Sequence, residues 1–139
     1  MWAPFAKRLA SSRIALLTSA GIYLRATQPS FDMEREQSHP EWGDPTWRPI
    51  PAGVTAEELG VAHLHINDED VRADPEIALP MHLLSQLAGE GVVGSATANH
   101  IAVMGYQDRS LRDWRDVTAP QVAAYLREEG ADGVVLAPA

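Results

Sequence analysis

The sequence predicts an α/β fold: a three-layer, Rossmann-like open sheet of about four mostly parallel strands, equivalent to half of a doubly wound domain. Three observations predict it. Continuous apolar runs at Ile14-Ala15-Leu16-Leu17, Ile101-Ala102-Val103-Met104 and Val134-Val135-Leu136 suit strands buried on both faces. Helical periodicities stand between them. Strands that alternate with helices imply a parallel sheet covered on both sides.

The chain has 139 residues, which sets a prior of one domain over 1–139. Apolar residues make up 45%, ordinary for a folded protein. Eleven Lys and Arg against nineteen Asp and Glu give a net charge of −8, which argues against nucleic acid or an anionic membrane as partner. There is no cysteine, so disulfides, thiolate nucleophiles and thiolate metal ligands are excluded within this chain. Lys7 and Arg8 precede the first apolar run, as in a secretory signal, but the run is short and bracketed by Arg13 and Arg25. It is also far too short to span a membrane. It reads as a first strand of a cytoplasmic protein.

Residues 1–12 read as a lead-in, mobile or with a short helix around Phe5 to Leu9. The first strand runs into Thr18-Ser19-Ala20-Gly21, small residues that suit a tight exit. Residues 26–54 hold Pro29, Pro40, Pro45, Pro49 and Pro51 and read as a long loop, its later part pinned by Trp47 and Ile50. Thr55 and Glu58 form a capping-box pair for a short helix over 56–59. Residues 61–66 read as a second strand, with Val61, His63 and His65 on one face. Leu83, Leu84, Leu87 and Ala88 mark a helix started by Pro80 and stopped by Gly89 and Gly91. Thr118 with Gln121 predicts a second capping box, opening a helix closed at Gly130. Val134 to Leu136 is the fourth strand. A sheet ending there leaves an edge that proteins normally cover, so a homo-oligomer or a complementary subunit is expected.

His63, His65, Asp68 and Asp70 form the densest polar cluster. Ligands of open parallel sheets bind beyond the carboxyl ends of the strands, where this cluster is expected. His-x-His with a nearby carboxylate also suits Zn, Fe or Mn, with His63, His65, Asp68 and His100 as candidate ligands. The other reading is a hydrogen-bonded core histidine and loop-capping aspartates. The backbone of Thr18, Ser19 and Gly21 can hold a carboxylate, or form a plain packing turn. Met104, Gly105 and Tyr106 can line the pocket. His39 and His82 read as surface, and Trp42 and Trp47 as loop anchors.

Several segments, in order, resemble one family. They are Leu16-Leu17-Thr18-Ser19-Ala20-Gly21-Ile22; Gly43-Asp44 with Trp47-Arg48 and Ile50-Pro51; His63, Asp68 and Asp74; and Pro80, Leu84 and Leu87. Glu90-Gly91-Val92-Val93-Gly94, Asn99-His100, Met104-Gly105-Tyr106 and Gly130-Ala131-Asp132-Gly133-Val134-Val135-Leu136 complete the set. It resembles the front half of the substrate-specific, selenoprotein B type subunit of the glycine, sarcosine, betaine and D-proline reductases. The resemblance implies reductive cleavage of a carbon–nitrogen bond in a small amino acid or amine. It implies His63, His100 and Asp68 as catalytic candidates, with Thr18, Ser19, Gly21, Met104, Gly105 and Tyr106 around the substrate. It also implies a cysteine or selenocysteine just after the strand at Val134-Val135-Leu136. This sequence has none, so the nucleophile is expected from a partner chain or from residues encoded beyond Ala139. No cofactor is expected under this reading. The alternatives are a divalent-metal enzyme on the same fold and a non-catalytic binding or assembly subunit.

Overall fold

The computed structural model describes residues 3–107 and 111–139. It is a mixed α/β structure on a mostly parallel sheet. A 3-10 turn at Leu9–Ser11 leads into β1 (Arg13–Thr18), the central strand. β2 (Ile22–Leu24) follows at once, then α1 (Met33–Ser38), β3 (Trp47–Pro51) and β4 (Leu59–Val61). The rest is α2 (Asp68–Ala73), α3 (Met81–Gly89), β5 (Ser95–Ala96), β6 (Asn99–Val103), α4 (Leu111–Asp113), α5 (Ala119–Glu128) and β7 (Gly133–Ala137).

β1 pairs in parallel with β5 and then β6 on one side and with β7 on the other. β3 closes the far edge, antiparallel to β6. Ile14, Leu16 and Ala102 bury one face of the sheet against Met81 and Leu84 of α3. Ala15, Ile101 and Val103 bury the other against Val122 and Leu126 of α5. The expected three-layer arrangement is present, with helices on both faces.

Several local expectations need correction. The strand expected over 61–66 is β4, two residues earlier, and it lies outside the main sheet in an antiparallel pair with β2. His63 and His65 therefore sit on the loop after it: His63 is buried and His65 exposed, not side by side on a strand face. Asp68 and Asp70 open a helix capped by the Asn67 side chain rather than ending a strand. Part of the proline-rich loop is the edge strand β3, in which Arg48 and Ile50 are buried. Pro49 and Pro51 are tolerated because an edge strand need not donate along its outer side. α1 has no counterpart in the sequence reading. Thr118 forms no cap; its hydroxyl donates to the Pro45 carbonyl, and a π-helical stretch, Trp114–Thr118, runs straight into α5. The Thr55–Glu58 capping box is formed as expected.

Among the described residues β7 pairs with β1 alone. Its Val134, Val135 and Leu136 are 40%, 50% and 67% exposed, so both faces of this apolar strand lie open. Among the described residues, no helix is long and apolar enough to cross a membrane.

Candidate functional site

β1 ends in a turn whose geometry depends on glycine. Gly21 has φ +66°, and a Cβ there would stand 2.1 Å from the Ala62 carbonyl oxygen. Its N–H donates to Val103 and its carbonyl accepts from Ala62 N–H, each at 2.9 Å. This stitches the end of β1 to β6 and to the start of the His63 loop. Thr18 is buried, its hydroxyl accepting from Ala20 N–H. Ser19 is held by Ala139, whose N–H donates to the Ser19 hydroxyl at 2.9 Å.

Gly105 brings the pieces together. A Cβ on it would lie 3.1 Å from His63 Nε2 and 3.2 Å from the Ser19 carbonyl oxygen. His63 is 5% exposed, and its Nδ1 accepts from the His65 backbone N–H at 3.1 Å. That bond places the proton of the neutral ring on Nε2, which has no hydrogen-bond partner among the described residues. Burial first, and then the neighbouring His65, hold the His63 pKa below the usual histidine value. His63 therefore presents a neutral N–H donor beside Ser19 and Gly105 at the carboxyl ends of the strands.

His65 lies next to this donor, its ring 6.0 Å from that of His63 and 4.6 Å from that of Tyr106. Its Nε2 is 2.9 Å from Oε1 of Glu36, whose side chain is fully buried. The sequence reading did not select Glu36. Asp32 caps α1, and helical spacing then puts Met33 and Glu36 on one face, but nothing in that pattern separates Glu36 from Glu34. Asp44 is also buried; it accepts from the N–H groups of Asp32 and Thr46 and so fixes the start of α1, which carries Glu36.

A cavity of about 230 Å³ opens at the strand ends, lined by Ser19, Met104, Gly105, Gln107, Trp114 and Leu136 among others. His63 does not line it; Ser19 and Gly105 are the residues that cavity and histidine share. A larger cavity of about 350 Å³ lies elsewhere, between Trp47 and Gln121. Among the described residues Asp113 is its only ionisable lining group and the strand-end cavity has none; what separates the two is that Ser19, Met104 and Gly105, expected at the site from the sequence, line only the strand-end cavity.

The structure does not unite all the sequence candidates. His63, Ser19, Gly105, Met104 and Tyr106 gather at the strand ends, as does Gly21 through its backbone. His100 is at the opposite end of β6, five residues before Gly105, which is about 16 Å of extended chain. It is fully buried, with Nδ1 accepting from Leu16 N–H at 3.2 Å. Asp68 is engaged by Arg72 at 2.6 Å, and Asp70 is exposed. Among the described residues, no three His, Asp or Glu side chains stand close enough to hold a metal ion, so the four proposed ligands do not converge.

The comparisons bear on this geometry. No family model matches the sequence, and no solved structure matches it. A curated relative does. The chain is similar to the D-proline reductase subunit gamma of Acetoanaerobium sticklandii, with 29% identity over 136 residues. The match covers 98% of this chain and 52% of the relative, so the chain spans about half the length of that protein.

Proposed function

We propose that this chain is the substrate-holding half of a reductase subunit that cleaves a carbon–nitrogen bond of a small amino acid or amine, with the cysteine or selenocysteine nucleophile supplied from outside these residues. The similarity along nearly the whole chain to a D-proline reductase subunit supports the reductase class. The observation that carries the site is the neutral His63 Nε2–H donor beside Ser19 and Gly105. A fixed, buried donor without a partner among the described residues suits a carboxylate, and hydrogen bonds to charged groups are the stronger kind.

Reductive cleavage consumes two electrons. A pair of thiols, or a thiol and a selenol, can supply them and end joined by a disulfide or selenosulfide bond. No side chain of this cysteine-free sequence can do so. The apolar edge of β7 fits this division of labour. It ends beside Ser19, whose N–H donates to the Ala137 carbonyl at 3.4 Å. A complementary polypeptide covering that edge would bring its own residues to the cavity.

Calorimetric titration with D-proline, glycine, sarcosine and betaine tests the reading. At least one binds, and His63→Ala weakens it by about tenfold or more, the scale of one hydrogen bond to a charged group. With dithiothreitol present, the chain alone leaves all four intact. Binding of none of them, or substrate-dependent thiol consumption by the chain alone, contradicts it.

A further inference from the structure

Glu36 sits where a carboxylate is costly. Its side chain is fully buried, and Oε2 has no hydrogen-bond partner among the described residues. Burial pushes its pKa up, the His65 ring pulls it down, and Asp44 pushes it up again. The Arg48 guanidinium, partner of the charge on Asp44, is turned to Thr46 and to the carbonyls of Pro29, Ser30 and Trp47. A merely structural carboxylate in this position would be expected to collect several donors. Glu36 has one neighbour of that kind, His65. The 2.9 Å approach meets the distance of a hydrogen bond, but among the described residues neither Glu36 oxygen has an aligned donor. Such contacts commonly tighten when a ligand arrives.

His65 is built differently from His63. Its side chain is 47% exposed, and its Nε2 faces Glu36. The groups that face the pair are Asp44, His63 and Tyr106. His63 is locked as a donor by the His65 backbone, while a carboxylate at Nε2 leaves His65 Nδ1 as an acceptor. One short loop thus carries a donor ring and an acceptor ring whose centres are 6.0 Å apart.

We propose that Glu36 and His65 form a general-base dyad, in which His65 Nδ1 takes a proton from the ammonium group of the bound amine while the buried Glu36 carboxylate holds the ring. The proposal rests on the amino-acid reading above for its substrate. The proton moves from nitrogen to Nδ1, and the N–H bonding pair stays on the amine, which becomes neutral. The imidazolium that forms faces the Glu36 carboxylate and later releases its proton to water from its exposed side. Glu36 acts through His65 and is a positioning residue.

Two measurements on the full chain test this. Long-range nitrogen–proton NMR of the imidazoles is expected to show His65 with its proton on Nε2. Carbethoxylation by diethyl pyrocarbonate at mildly alkaline pH, read by mass spectrometry, is expected to modify His65 readily relative to the exposed His39 and His82. In Glu36→Gln that relative rate should fall about tenfold, the usual scale for losing a partner that orients an imidazole, and Glu36→Asp should retain more of it. A His65 proton on Nδ1 in the wild-type spectrum, which needs no variant to fold, overturns the dyad. So does a His65 rate unchanged in Glu36→Gln. D-proline is expected to protect His65 from the reagent. If the dyad passes both tests and D-proline gives no protection, the ammonium group is refuted as the source of the proton.

Discussion

His63 and Gly105 meet across a space that glycine alone leaves open, with Nε2 of His63 standing 3.1 Å from the point a Cβ on residue 105 would occupy. The Gly105 backbone does not need a positive φ, so alanine is conformationally allowed there. Gly105→Ala should therefore fold, with a stability loss of about 1 kcal/mol from local overpacking. Its methyl group would push against the donor nitrogen and the Ser19 backbone. Calorimetry should show amino-acid affinity reduced about tenfold or more, well beyond what that small stability loss implies. Unchanged affinity would separate His63 from the binding site.

His100 sets an acid limit on stability. Burial holds its pKa down to about 4 from an ordinary 6.5. A histidine with a depressed folded pKa is protonated more readily in the unfolded chain. Stability is therefore full above about pH 6.5 and declines as pH falls toward 4, by up to about 3 kcal/mol. Urea denaturation across this window measures the slope. His100→Leu should flatten it, although at neutral pH the variant loses about 1–3 kcal/mol because Leu16 N–H is left without its acceptor. An equal slope in the variant would assign the acid sensitivity to other groups.

Gly21→Ala tests the turn that joins β1 to the His63 loop. A left-handed backbone costs a non-glycine residue about 1–2 kcal/mol, and the methyl group would collide with the Ala62 carbonyl. The combined loss should exceed about 3 kcal/mol in urea denaturation. A loss under about 1 kcal/mol would mean that the turn relaxes freely.

The open edge of β7 should associate. Sedimentation of the wild-type chain is expected to show a mass that rises with concentration. Leu136→Lys should hold it at the monomer without lowering the melting temperature, since Leu136 is 67% exposed. A wild-type monomer at all concentrations would mean that the edge does not self-associate.

Much of the fold was legible because its signals are local. The apolar runs at Ile14 to Leu17, Ile101 to Met104 and Val134 to Leu136 are strands of the main sheet, although the second starts at Asn99. The Leu84 and Leu87 spacing is a helix, but Leu83, counted with it, is half exposed. What stayed hidden depends on tertiary pairing. β3 carries two prolines and forms only because β6 offers an antiparallel edge. The His63 loop reads as alternating strand because the period of two continues past Val61, where pairing with β2 stops. The site divides in the same way. Ser19 and Gly105 were expected at strand ends from the apolar runs before them, and they stand there; His63 was read inside a strand and lies on a loop. Glu36 was not legible, because its importance comes from burial against His65, and a charged residue in a short polar helix looks solvated. His100 was drawn to the site by resemblance, and the strand direction puts it at the opposite end.

The central claim is that a small amino acid binds where His63, Ser19 and Gly105 converge. Amide and imidazole NMR of the labelled chain during titration with D-proline tests it most directly. The account predicts saturable shifts centred on Ser19, His63, Gly105 and Tyr106, with His100 and the cavity between Trp47 and Gln121 unmoved, and D-proline recovered intact. Shifts centred on Trp47 and Gln121, or no shifts at the His63 site at any concentration, would contradict it.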